Sequence, residues 1–300
     1  MGSGSPVSGR IAPQPGSRVD RALRVARLVH PFPSLLDGIV VAVVALVADG
    51  TPARAAMLGA STVGLQFAIG TLNDIADAPR DAKARTRKPI ADRLVSARVA
   101  KGVLAAFLVT GLLLALIAGP LLLVIASLGL AIGVWYDIGA KGTWFSWLPI
   151  ALGVPLLPVY GWLGATGSLP AAFTVLVPAA FLAGAALAIA NSSVDLERDA
   201  SVGLTSLAVV LGPTRSTAVV LLLQLLVAAL AIASSSASPR SGLWLAATAV
   251  AAALPVTGAL LGLLGARRGP VPREVAFEVQ AVGLGLLAVA WMNALGAAAA

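Results

Sequence analysis

The sequence predicts an all-α integral membrane protein, a bundle of about nine transmembrane helices. Of its 300 residues, 58% are hydrophobic and only 11% are charged, whereas soluble domains carry about 25% charged residues. Apolar stretches close to the roughly 20 residues that cross a bilayer recur along almost the whole chain. None shows the alternation that is typical of a membrane β-strand. The composition therefore excludes an ordinary soluble domain.

Nine apolar stretches account for most of the chain. They lie at about 33–49, 53–73, 97–117, 119–137, 144–164, 171–192, 214–234, 242–265 and 274–295. Residues 1–19 are rich in Gly, Ser and Pro and contain no long apolar run. We expect a disordered cytoplasmic tail there, and a single membrane domain over residues 20–300.

The basic residues predict the orientation of the bundle. Only Arg54 and Arg240, of 21 Lys and Arg residues, fall in the breaks that follow odd-numbered spans. Positive residues favour the cytoplasmic side, so the N-terminus and the breaks after even-numbered spans are predicted to be cytoplasmic. This places the chain in the cell membrane as a multi-pass protein. Topology then explains the net charge of +8, and we expect no nucleic-acid partner.

Two of the predicted cytoplasmic breaks carry the same acidic pattern. Five of the ten aspartates lie in two nine-residue windows, 73–81 and 191–199, and the chain has no Cys and a single His, His30. The pattern is N-x-x-x-D-x-x-x-D at an offset of 118 residues, formed by Asn73, Asp77, Asp81 and by Asn191, Asp195, Asp199. Without Cys, disulfides and thiolate sites are excluded, and one His makes a zinc site unfavourable.

Residues four apart share one helix face, about 6 Å apart along the axis. Each motif would therefore present its side chains in one direction, although Pro79 could end the first helix before Asp81. Two such faces at one mouth would repel unless cations neutralise them. Hard oxygen ligands of this kind suit Mg²⁺ shared with phosphate groups. The alternative is that they are solvated loop carboxylates that balance nearby Arg and Lys.

The two motifs resemble those of a known family. Asn73-Asp74-x-x-Asp77-x-x-x-Asp81 is similar to the NDxxDxxxD motif of the UbiA superfamily of intramembrane prenyltransferases. The segment Asp195-x-x-x-Asp199-x-x-x-Gly203, followed by Thr205-Ser206-Leu207 and Leu211-Gly212, looks like its second motif. The resemblance covers essentially residues 20–300, and both motifs occur in the order of the family.

The resemblance implies a function and a site. It implies a bundle around a central cavity open to the cytoplasmic side, with two Mg²⁺ ions that bridge a prenyl diphosphate, whose isoprenyl group passes to a lipophilic acceptor. No obligatory protein partner is implied. The implied metal ligands are Asp74, Asp77, Asp81, Asp195 and Asp199. The implied catalytic residues are Asn73, Asp77, Asp81, Asp195, Asp199 and Tyr136. The implied substrate-binding residues are Arg87, Lys88, Lys141 and Asn191.

Some residues remain open to more than one interpretation. Tyr136 and Lys141 resemble the Tyr and Lys of a family loop, but they could equally be an interfacial aromatic and a snorkelling lysine. Many members have Thr, Ser or Pro at position 137 and a basic residue at 142, where this chain has Asp137 and Gly142. Asp37, inside the first span, could orient the acceptor or lie hydrated near the interface. These departures leave the subfamily undecided.

Three other functions fit parts of the pattern. A terpene cyclase on the same scaffold would ionise the same substrate without an acceptor. A secondary transporter would place its acidic groups near the midplane, whereas these lie at helix ends. The D-G-x-x-A-R opening of CDP-alcohol phosphotransferases occurs from Asp49 to Arg54. The Gly and the two Asp that should follow are replaced by Val63, Phe67 and Thr71.

Overall fold

The fold is built entirely from helices over the part of the chain that can be described. The structure, a computed structural model, describes residues 28–84, 88–237 and 242–295, which contain no strand. The helices are α1 Pro31–Val47, α2 Pro52–Ala84, α3 Ala97–Ala118, α4 Pro120–Trp135, α5 Trp147–Gly153, α6 Leu156–Thr166, α7 Phe173–Val194, α8 Leu196–Ser201, α9 Leu207–Ser236, α10 Gly242–Gly265 and α11 Pro270–Ala294. The predicted all-α fold class is confirmed.

Nine of these units have the length and apolarity of membrane crossings. Within the described ranges, eight spans reach at least 18 residues, and α1 is a shorter apolar helix of 17 residues. Helices α5 and α6 together form one of these spans, Trp147–Thr166. The chain is thus a multi-pass membrane protein, and the predicted count of about nine spans is confirmed. The predicted disordered tail, residues 1–19, lies outside the described residues.

The crossings close into a ring. Each packs against the next along the chain, with α4 against α5 and α5 against α7, and α11 packs back against α1. Small residues allow the closest approaches: a Cβ on Gly38 of α1 would lie 2.9 Å from the carbonyl oxygen of Gly59 on α2. Large apolar side chains of α3 and α4, such as Ile117 and Val124, point outward and are exposed, as lipid-facing residues are.

Three local features differ from the predicted helices. Helix α2 continues through Pro79 to Ala84, so Pro79 does not end it. The fifth span is interrupted around Val154-Pro155. Helix α9 begins earlier than predicted and bends at Gly212, whose φ of 76° precedes Pro213. A proline costs one backbone hydrogen bond and some crowding, and helix packing decides whether the helix survives it.

The bundle has two chemically different ends. We call the end where α2 and α7 finish the motif end, since both acidic motifs lie there. At the opposite end, Arg54 donates from Nε to the carbonyl oxygen of Gly164 at 2.8 Å and from Nη2 to that of Ala118 at 2.5 Å. Ala118 ends α3 and Gly164 lies in the last turn of α6, so one cation satisfies carbonyls left over at two helix ends.

Candidate active site

The first motif lies on one face of α2. Because α2 is continuous, Asn73, Asp77 and Asp81 are spaced by one helical turn each, and all three line a single cavity at the motif end. The carboxylates of Asp77 and Asp81 belong to residues that are only 8% exposed. The direction of Asp81, which Pro79 left open in the sequence, therefore matches that of the other two.

Basic side chains meet the first motif. The carboxylate of Asp77 accepts hydrogen bonds from Arg80 and from Lys141. Lys141 Nζ also donates to Oδ1 of Asn73 at 3.0 Å, and the Asn73 amide donates to Oδ1 of Asp137 at 2.7 Å. Asn73 thus joins the first motif to the loop after α4. Asp137, which departs from the family pattern, is part of this network.

Asp74 is placed differently from the rest of the motif. It is 2% exposed, does not line the cavity, and accepts from Lys88 Nζ at 2.6 Å and from His30 at 3.2 Å. Lys88 and His30 themselves lie on the cavity wall, and Lys88 is also 3.7 Å from Asp81. The predicted role of Asp74 as a metal ligand stays a prediction, while its observed contacts are those of an anchor for two wall residues.

A π-helical turn brings Tyr136 and Lys141 to the cavity. Helix α4 continues as a π-turn over Tyr136–Ala140, and the Lys141 amide donates to the Tyr136 carbonyl oxygen at 2.8 Å. Such wider turns re-aim side chains and are frequent at functional sites. Tyr136, Asp137 and Lys141 all line the cavity. The sequence placed these residues in a loop, and nothing in their types predicted the π-turn.

The second motif crosses a break between two helices. Helix α7 ends at Val194, Asp195 takes φ −97° and ψ 12°, and α8 begins at Leu196. The Asp199 amide donates to the Asp195 carbonyl oxygen at 2.8 Å, so the helical spacing survives the break. Asn191, Asp195 and Asp199 line the same cavity as the first motif. The two motifs therefore face one common space.

Fewer cations meet the second motif. Arg198 pairs with Asp195 at 2.8 Å and is 3.9 Å from Asp199. Burial and the neighbouring charge of Asp195 raise the pKa of Asp199, although Arg198, Arg80 and Lys141 oppose this shift. A carboxylate whose ionisation is opposed by burial and by a neighbouring negative charge favours an added cation.

A second ion pair holds this motif to the last helix. Glu197, between the two aspartates, accepts from Arg273 Nη2 at 2.5 Å. The Arg273 side chain is 1% exposed and also donates from Nε to the Gly269 carbonyl oxygen at 2.9 Å. This pair was not predicted from the sequence. The only available signal was a lone Arg beside the start of an apolar span.

The cavity continues from the motifs into the bundle. Its volume is about 660 Å³. The wall formed by α4, α5 and α6 is mostly apolar, with Ile125, Leu130, Ile150 and Leu157. The facing wall on α1 and α2 contains polar groups, including Asp37 and Gln66. The cavity thus combines a charged mouth with a long apolar side.

The donor set fits Mg²⁺ that is shared with a ligand. Within residues 28–84, 88–237 and 242–295, no three His, Asp or Glu side chains are close enough to hold an ion by themselves. Mg²⁺ usually takes one or two carboxylates and completes its shell with waters and phosphate oxygens. Asp77 and Asp81 on one side, with Asp195 and Asp199 on the other, offer that arrangement. Arg87, a predicted diphosphate contact, lies outside the described residues.

Comparison with known proteins agrees with this architecture. The UbiA prenyltransferase family matches residues 38–277, so the chain belongs to that family. A UbiA homologue from Aeropyrum pernix K1 shares the fold at a TM-score of 0.67 and 24% identity, covering 88% of this chain and 97% of that one. Among proteins of curated function, none matches significantly in sequence.

Two other solved structures share the fold. A UbiA homologue from Archaeoglobus fulgidus, bound to GPP and Mg²⁺, has a TM-score of 0.68 and 18% identity over 91% of this chain and 99% of its own. A digeranylgeranylglyceryl phosphate synthase has a TM-score of 0.67 and 16% identity over 92% and 99%. At these identities the structures establish the common fold, and the family match establishes membership.

Proposed function

We propose that this protein is a Mg²⁺-dependent prenyltransferase that moves an isoprenyl group from a prenyl diphosphate to a lipophilic acceptor. The observation that carries this proposal is the convergence of both acidic motifs, Lys88 and Lys141 on the mouth of one largely apolar cavity. A ligand with an anionic head group and an apolar chain matches a cavity with a charged mouth and an apolar interior. The Archaeoglobus fulgidus homologue, captured with GPP and with DMAPP in the presence of Mg²⁺, supports the same ligand class.

The side chains at the mouth bind the diphosphate. Asp77 and Asp81 on one side, with Asp195 and Asp199 on the other, would hold Mg²⁺, which when bound would stabilise the charge on the departing diphosphate. Lys141 and Lys88 bring fixed positive charge to the same oxygens. Asn73 and Asn191 line the mouth between these charges and orient the head group by hydrogen bonds.

The reaction breaks one bond and forms another. The allylic C–O bond breaks, its electron pair leaves with the diphosphate, and the acceptor forms a new bond to the allylic carbon and loses a proton. The ring of Tyr136 faces the cavity beside Lys141, where an aromatic face stabilises positive charge on carbon. The apolar wall of α4 to α6 keeps water from that carbon.

The orientation in the membrane belongs to the same proposal. Arg80, Lys88, Lys141 and Arg198 are all at the motif end, whereas Arg54 lies at the opposite end. Positive residues concentrate on the cytoplasmic side of membrane proteins. We therefore place the mouth of the cavity in the cytoplasm, where a charged prenyl diphosphate can enter without crossing the bilayer.

Product analysis tests the proposal. Purified protein is incubated with labelled geranyl, farnesyl or geranylgeranyl diphosphate, an acceptor panel, and either Mg²⁺ or EDTA. We expect Mg²⁺-dependent diphosphate release and a product whose mass is that of the acceptor plus the isoprenyl group minus one hydrogen. A hydrocarbon product that lacks acceptor atoms would establish a cyclase instead. Turnover that persists in EDTA would contradict the proposed chemistry.

A further inference from the structure

The polar pair Asp37 and Gln66 lies inside the cavity, away from the acidic motifs. Gln66 Nε2 on α2 donates to Asp37 Oδ2 on α1 at 2.5 Å, and both residues line the cavity. The close approach of Gly38 and Gly59 holds these helices together next to the pair. Asp37 is therefore fixed on the wall rather than turned toward lipid.

The pair lies deeper in the membrane than the predicted metal site. Gln66 precedes Asn73 by seven residues on the same helix, which is about 10 Å along the axis. That distance is close to the length of a one- or two-ring organic molecule. A molecule that contacts Asp37 at one end can thus reach the level of Asn73 and Tyr136, where the allylic carbon lies, at the other.

Asp37 differs in its partners from Asp77 and Asp195, and it shares with Asp137 an amide partner and the lack of an ion pair among the described residues. Asp77 and Asp195 are each paired with Arg or Lys, whereas among the described residues Asp37 has Gln66 as its one hydrogen-bond partner and no ion pair. Gln66 donates to Oδ2 of Asp37, and no residue in the described part of the chain donates to its other carboxyl oxygen. Asp37 itself lines the cavity. An acidic group inside a span is costly, and an unsatisfied oxygen there gains from any donor that a ligand supplies.

We propose that Asp37, oriented by Gln66, is the binding site for a hydroxyl or amino hydrogen of the acceptor. The acceptor class that follows is an uncharged lipophile with a hydrogen-bond donor, because Asp37 and Gln66 offer no cation to a carboxylate or phosphate of the acceptor. The apolar wall of α4 to α6 is left to the isoprenyl chain. This inference rests on the proposed prenyl transfer and narrows its second substrate.

The experiment compares paired acceptors in full-length wild-type protein and variants. The probes are neutral phenols and the same rings carrying a carboxylate opposite the reactive position, with one labelled prenyl diphosphate. The variants are Asp37→Asn, Asp37→Leu and, as a matched control, Thr71→Val. Thr71 is also buried on α2, bonds its own helix at the Phe67 carbonyl oxygen, and does not line the cavity.

We expect wild-type protein and Thr71→Val to prefer the neutral phenol at least about 10-fold in kcat/KM. A factor of about 10 is what the free energy of one hydrogen bond to a charged group corresponds to. Asp37→Leu should raise KM for the neutral phenol about 10-fold and leave KM for the prenyl diphosphate unchanged. Asp37→Asn keeps an oxygen for Gln66 and removes the charge, so it should use the carboxylated phenol better than wild type.

Three results would overturn this assignment. The first is equal use of neutral and carboxylated phenols by wild type. The second is an Asp37→Asn variant with unchanged acceptor preference, or an Asp37→Leu variant in which both KM values rise alike. The third is diphosphate release without transfer to any phenol, which removes the acceptor site but leaves ionisation at the motifs intact. If wild type released no diphosphate with Mg²⁺, the proposed function itself would fail as well.

Discussion

The two acidic motifs share one sequence pattern but differ in their structural surroundings. The first lies within the continuous helix α2, and the Asp77 side chain is 10% exposed and meets Arg80 and Lys141. The second lies across the break between α7 and α8, and the Asp195 side chain is 45% exposed and meets Arg198 alone among the described residues. One motif is buried and supplied with cations, and the other is open and short of them.

This difference indicates how the site divides its work. Arg80 on α2 and Lys141 after the π-turn contact Asp77 and organise the first motif before a ligand arrives. The second motif has excess negative charge, so it gains more when a divalent ion and a diphosphate enter. Its backbone is held from outside the cavity, through Glu197 and Arg273. We infer that the second motif contributes more to metal affinity, and the first more to orientation of the head group.

The largest effect should come from removing a carboxylate charge on either side. Asp77→Asn and Asp195→Asn should each lower kcat/KM at least about 100-fold, as losing a main electrostatic contact to the leaving group does. Diphosphate release in lipid nanodiscs measures this, with Asp49→Asn, at the opposite end of the bundle, as the control. Full activity in one of the two variants would show that the motifs do not share one ligand.

The next largest effect should come from removing a cation that contacts the first motif. Lys141→Met removes a charge that contacts both Asn73 and Asp77, so KM for the prenyl diphosphate should rise about 10-fold. Lys141→Arg should recover part of this loss because the charge is kept. The half-saturating Mg²⁺ concentration should move little in either variant. A large shift in Mg²⁺ dependence with unchanged KM would reverse the assigned division.

A smaller effect should follow from releasing the second motif. Glu197→Gln weakens the contact with Arg273 and should raise the half-saturating Mg²⁺ concentration about threefold to tenfold, since residues that support metal ligands tune affinity. Glu274→Gln, an exposed acid on the same α11, is the matched control. Unchanged Mg²⁺ dependence in Glu197→Gln, with lower thermal stability, would make this pair purely structural.

The smallest effect on activity should come from the opposite end. Arg54→Met removes two hydrogen bonds to helix-end carbonyls and should lower Tm by about 2–4 °C. Both KM values and the Mg²⁺ dependence should stay as in wild type, because no motif residue contacts Arg54. Differential scanning fluorimetry and the same release assay check this. A kinetic defect would show that the two ends are coupled.

Much of the fold followed from the sequence because membrane spans are set by length and apolarity. Nine crossings were predicted and are confirmed. The continuation of α2 through Pro79 and the break at Val154-Pro155 were not predictable, since both contain proline and only the packing around them differs. The sequence shows where a proline removes a backbone hydrogen bond. Packing against neighbouring helices determines whether the helix continues through that proline or breaks.

The site was partly readable for a similar reason. Spacing of four residues predicted that Asn73, Asp77 and Asp81 share a face, and all three line one cavity together with Asp195 and Asp199. Partners distant in sequence were not readable. The contacts of Asp74 with His30, and of Glu197 with Arg273, join residues 44 and 76 positions apart. A single sequence does not indicate which acidic residue pairs with which distant basic residue.

The closure of the ring has a consequence for biosynthesis. Helix α1 is completed by its contact with α11, which is synthesised after the other ten helices. Before α11 is in place, α1 lacks this neighbour and the ring is open on that side. Asp37 on α1 must then be kept away from the lipid hydrocarbon. The enclosed cavity therefore exists only after α11 has been synthesised, and substitutions in α11 should reduce the yield of inserted protein more than they affect kcat/KM.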